Sequence, residues 1–103
     1  MSEIVEDRLY YGEARFIIFE LRTKTGQKIT LDSGKLTMEF EGDSVPILDD
    51  VDASVTGNKI YYLVNKTILE EEGTYDLYWK ATSGHEIFKW LSKIVLVEVS
   101  DEA

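Results

Sequence analysis

Residues 69–82 read LEEEGTYDLYWKAT. Three glutamates and Gly73 lead into Tyr75, Leu77 and Trp79, each separated by one residue. Period-two spacing puts the three large side chains on one face of a strand. A tyrosine two residues after a glycine, late in the chain, has the spacing of a tyrosine corner. In that device the ring points into the core and the hydroxyl bonds back to the backbone a few residues upstream. Gly73 supplies the sharp bend between layers, and Leu77 faces the core. The stretch therefore predicts a structural closure. The competing reading, an exposed aromatic platform built by Tyr75 and Trp79, runs against the usual burial of large aromatics.

Outward from this strand the chain shows short alternating runs broken by turn residues. Toward the N-terminus, ARFIIFELRT (14–23) is apolar on both faces, which predicts a well-covered strand. TKTGQK reads as a hairpin loop with Gly26 at its tight position, and KITL as the returning strand. DSG (32–34) reads as a further turn. KLTMEFE then alternates Leu36, Met38 and Phe40 against polar residues, a half-buried strand. The region around Pro46 predicts two short edge strands, near 45–48 and 51–56. KIYYLVN is a strand, and KTILEEEG makes one helical turn before Gly73. IFKWLSKIVLVEV is the last strand. Its apolar residues read as switching face there, which predicts a β-bulge between Trp90 and Lys93. The ends MSEIVED and SDEA read as acidic and frayed.

About seven strands with turn signals every 8–12 residues predict an all-β fold, an immunoglobulin-like antiparallel β-sandwich, with a small barrel as the alternative. At 103 residues the chain is expected to form one sandwich domain over 1–103, with its core at about 8–99. The net charge of −9 argues against nucleic-acid and anionic-membrane partners. There are no cysteines, so disulfides and thiolate sites are excluded. The sequence shows no basic segment followed by an apolar one near its start, and the expectation is cytoplasmic synthesis without a secretory signal.

Three patterns built on turn glycines, two of them with aromatics, carry a resemblance. They are Leu21, Gly26 and Leu31; then Gly57, Tyr61 and Leu63; then Gly73 and Tyr75. Over about residues 14–99 the chain resembles immunoglobulin-like domains of phage virions. It resembles in particular the N-terminal domain of baseplate upper proteins in phages of Gram-positive bacteria. The resemblance implies a non-catalytic structural component of a tail, baseplate, neck or capsid surface. Such a component works by docking to other virion or assembly proteins, and a homo-oligomer is a further possibility. It implies no cofactor and no catalytic residues.

Few residues offer chemistry. Ser83, His85 and Glu86 lie together in one turn, whereas catalytic triads are assembled from separated segments. Asp49, Asp50 and Asp52 are the best metal candidates. As an EF-hand loop from Asp50, however, Val55 falls where glycine is needed and Tyr61 where glutamate is needed. Phe88 and Trp90, on the apolar-rich last strand, are the expected docking residues. Two other readings stay open. One is a carbohydrate-binding module drawing on Tyr10, Tyr11, Tyr61 and Trp90. The other is a small acidic inhibitor or regulator of a basic partner.

Overall fold

A computed structural model describes residues 5–43 and 45–97. Seven strands account for most of them: β1 (Val5–Tyr10), β2 (Arg15–Glu20), β3 (Ser33–Phe40), β4 (Leu48–Thr56), β5 (Lys59–Val64), β6 (Gly73–Ser83) and β7 (Glu86–Val97). They hydrogen-bond in the single order β1-β7-β6-β3-β4-β5-β2. The fold is all-β.

The sheet is not flat. Four strand spacings of about 4.8 Å would hold β2 and β6 roughly 19 Å apart in a plane. Yet the rings of Phe19 on β2 and Trp79 on β6 lie 5.4 Å apart, edge to face. The order folds back on itself at β4, whose first half pairs with β3 and whose last three residues, Ser54 to Thr56, pair with β5. Two layers result, one of β1, β7, β6 and β3, the other of β5 and β2. They close over Leu36, Met38, Ile60, Val64, Tyr75, Leu77, Trp79 and Ile94, all buried. With a tyrosine corner in its penultimate strand, described below, the arrangement is immunoglobulin-like.

A close approach between the layers has a compositional cause. Ala53, Gly34 and Ala81 are register partners across β4, β3 and β6. This row of small residues leaves room for Ile60 of the facing layer. A Cβ on Gly34 would collide with Ile60 Cδ1 and lie 3.0 Å from its Cγ1. Gly34 is thus a strand residue; the turn expected over 32–34 is absent because packing, not chain reversal, requires the glycine.

Several further expectations are corrected. β7 pairs with β6 without interruption from Ser83↔Glu86 to Gly73↔Leu96, so the bulge expected between Trp90 and Lys93 does not exist. Ser92, the apparent break in the pattern, faces the core and is buried. The indole Nε1 of Trp79 donates to its Oγ at 2.9 Å. A register shift occurs instead on β4, where Asp49 and Asp50 together oppose Thr37. Asp50 takes φ +51°, a left-handed conformation that Asp tolerates, and its N–H donates to Thr37 Oγ1 at 3.0 Å. The two edge strands expected near Pro46 are one strand, and it lies inside the order; Pro46 precedes it. KITL forms no strand. It holds only an isolated bridge, Arg22↔Lys28, across the expected turn at Gly26.

The N-terminal stretch read as frayed contains the start of β1, which runs parallel to β7 from Val5↔Ser92 to Tyr10↔Val97. The sheet is therefore not wholly antiparallel. Leu9, opposite Leu96, is fully buried. One leucine among Glu6, Asp7 and Arg8 gives no period-two signal, and the strand forms because the long β7 offers it an edge. The remaining end residues, 1–4 and 98–103, lie outside the described residues.

Candidate docking surface

Three of the exposed apolar side chains, Phe16, Ile18 and Leu63, share the outer face of β2 and β5. Phe16 is 53% exposed, Ile18 55% and Leu63 41%. Phe16 pairs with Leu63 and Ile18 with Tyr61 across the two strands. The Phe16 and Tyr61 rings meet edge to face at 5.8 Å. Phe16, Ile18, Tyr61, Thr56 and Lys59 line a shallow groove of about 290 Å³. Polar pairs border the patch: Glu20 lies 3.7 Å from Lys59 and 3.6 Å from Arg22. At the other end of β2, Arg15 holds Glu13 at 2.6 Å. The Tyr10 N–H and then the Arg15 guanidinium keep the Glu13 carboxyl below the usual range. An apolar centre with a charged rim is the anatomy of a protein–protein contact.

This patch overturns the reading of 14–23 as a covered strand. The inner residues Ile17 and Phe19 pack into the core, but nothing among the described residues covers Phe16 and Ile18. The signal was in the sequence. β2 and β5 are both apolar on two faces, and a two-layer fold buries only one face of each strand.

The two side chains first expected to dock, Phe88 and Trp90, lie elsewhere. Both are half-buried on the inner side of β7. Trp90 stacks on Trp79 with centroids 6.2 Å apart and planes 7° from parallel, and Phe19 caps the pair at 5.6 Å from Trp90. Because Ser92 does not shift the register, Trp90 shares the core-facing side with Ile94 and Leu96. Its indole N–H is enclosed without an acceptor among the described residues. Of the aromatic pool for a glycan platform, Trp90 is thus engaged in the core stack, while Tyr10 and Tyr11 are exposed at the end of β1.

The opening stretch forms a closed hydrogen-bond loop. The Tyr75 hydroxyl donates to the Glu71 carbonyl and accepts from the Glu71 N–H at 3.0 Å. Burial, ahead of the nearby Glu71 and Glu70 charges, pushes the phenol above its ordinary pKa. Gly73 takes φ +138° and lies against Phe40, whose ring meets Tyr75 edge to face at 5.1 Å. Leu77 and Trp79 are buried on the same face as Tyr75. Upstream, Leu69 N–H bonds to the Asn65 carbonyl at 2.8 Å, a single turn that delivers Leu69 to the core.

The remaining candidates do not converge. Asp52 pairs with Lys35 at 2.6 Å, and Asp49 and Asp50 occupy the register shift on β4. Among the described residues no three acidic or histidine side chains are grouped to hold a metal ion. Ser83 donates to the Thr30 carbonyl at 2.6 Å, and His85 is exposed at the tip of the β6–β7 hairpin. A residue that sequence reading passed over is Asn58, buried in the β4–β5 turn. Its Nδ2 donates to the Leu21 carbonyl at 3.2 Å while its own carbonyl accepts from Leu21 N–H at 2.9 Å.

No family model and no curated protein matches the sequence. Among solved structures the chain is similar to a chimeric titin Z1Z2 functionalized with a KLER exogenous peptide from decorin. The identity is 11%, over 94% of this chain and 92% of that one, with a TM-score of 0.47. The fold class rests on the strands themselves.

Proposed function

We propose that the chain is a non-catalytic docking module that binds another protein through the outer face of β2 and β5. The observation that carries this reading is the contiguity of Phe16, Ile18, Tyr61 and Leu63 on a face that the other described residues leave uncovered. Exposed apolar patches rimmed by polar residues mark such contacts on soluble domains. The net charge of −9 favours a different protein over a second copy, because like-charged copies repel. The setting, a phage or prophage particle, rests on the resemblance of the turn-glycine patterns to virion domains. Its partner is then another virion or assembly protein.

Co-sedimentation with purified particles tests the reading. The wild-type chain is expected to travel with the particles. A Phe16→Ser/Ile18→Ser variant, altered only on the exposed face, is expected to remain folded and to stay in the supernatant. A wild-type chain that never co-sediments overturns the setting, and a variant that co-sediments as well as wild type overturns the face.

A further inference from the structure

The other layer carries a feature that docking through β2 and β5 does not use. Lys35, Lys80 and Lys89 are register partners across β3, β6 and β7. They point away from the core, since Leu36, Trp79 and Trp90 beside them point into it. Lys35 is engaged: hydrogen bonding to Asp52 at 2.6 Å holds its ammonium above the ordinary lysine pKa. Lys80 and Lys89 have no carboxylate within ion-pair distance among the described residues. Like charges directly opposite on neighbouring strands destabilise a sheet. This chain has 20 acidic residues against 11 basic ones, so a carboxylate opposite either lysine was the cheaper arrangement.

The row borders a shallow groove of about 340 Å³, lined also by Thr37, Asp50 and Tyr78. The Tyr78 ring is 44% exposed, an accessible apolar surface beside the two unpaired ammonium groups. Thr37 is the register partner of Tyr78, and Asp50 bonds to it. Asp52 pairs with Lys35 on β3 and Asp50 lies on β4, so the carboxylates are at the β3–β4 end of the groove, and the β6–β7 end is cationic.

We propose that the Lys80–Lys89 end of this groove binds a small aryl phosphate monoester. The phosphate bridges the two ammonium groups, and its charge of about −2 matches theirs. The ring lies against Tyr78, where offset or edge contact between aromatics adds to the ion pairing. This site is independent of the docking face and lies in the opposite layer.

The test is a titration of the isotope-labelled chain with phenyl phosphate and with inorganic phosphate, at constant ionic strength, followed by amide chemical shifts. Saturable shifts confined to residues around Tyr78, Lys80 and Lys89 are expected, with phenyl phosphate saturating at several-fold lower concentration. Lys80→Gln/Lys89→Gln should abolish them while melting no lower than wild type, since it removes a repulsion. The single variant Lys80→Gln should weaken them and remain folded. The site is overturned by absent shifts, by non-saturating shifts spread over all lysines, or by shifts that survive in the double variant. Equal response to the two phosphates overturns the contact with Tyr78.

Discussion

The indole N–H of Trp79 donates to the hydroxyl of Ser92, its neighbour on β7, in the buried interior. This bond explains a serine on the apolar face of the last strand. β7 keeps one register along its pairing with β6, and Trp90 stays on the core side. Ser92→Ala leaves the buried indole N–H without an acceptor. Urea denaturation is expected to show a loss of about 1–3 kcal/mol, the usual cost of an unpaired buried donor. An unchanged midpoint would mean that the bond contributes nothing.

The two tryptophans should respond differently to the same change. Trp79→Phe removes a bonded donor and opens a cavity at a fully buried site, at an expected cost of about 2–4 kcal/mol. Trp90→Phe removes an enclosed N–H that has no acceptor among the described residues, so part of the lost packing is offset. Its cost should be no more than about 1 kcal/mol. Denaturation of the two variants side by side checks the order, and the reverse order would contradict the stack described here.

Tyr75→Phe removes both hydrogen bonds of the corner, at about 1–2 kcal/mol at neutral pH. The pH dependence adds a second check. The folded phenol has a raised pKa, so the protonated form is favoured by folding. Its contribution is complete below the unfolded pKa of about 10 and is lost as pH rises through the folded value. Lys93 is also raised, first by its hydrogen bond to Asp76, and its contribution is lost in the same direction. Stability should therefore fall above about pH 10 in wild type, and less steeply in Tyr75→Phe, with the lysine part remaining.

Gly34 tests the folding-over of the sheet. Gly34→Ala pushes a methyl group into Ile60 of the facing layer and is expected to cost about 1–3 kcal/mol. Ile60→Val removes the colliding Cδ1. In the Gly34→Ala background it should cost less than it does alone, and a thermodynamic cycle measures the difference. Simple additivity would place the two residues out of contact.

Legibility followed signal strength. Strands with one apolar face, such as β3 and β6, could be read directly because period two is unambiguous there. The stretch around Tyr75 was equally plain, since glycine, tyrosine and core residues have fixed offsets. β1 was invisible because charged residues surround its one buried leucine. Gly34 and Ser92 misled for a shared reason: each looks like punctuation in sequence, and each is required by a partner far along the chain, Ile60 for one and Trp79 for the other. The apolar surplus was noticed on β7, but there the inner face absorbs much of it. Ile87 stays exposed there, and β2 and β5 leave Phe16, Ile18 and Leu63 exposed together, because the number of layers, not the composition of any strand, decides exposure.

On the proposed function, the face of Phe16 and Ile18 is occupied by a partner protein. Site-specific photo-crosslinking in isolated particles measures this most directly, with a photoreactive residue in place of Ile18. The same residue in place of Ile87, exposed on the outer side of the other layer, is the control. One discrete adduct is expected from position 18, joined to a single virion protein identified by mass spectrometry, and none from position 87. No adduct from position 18, or the same adduct from both positions, would contradict the proposed function.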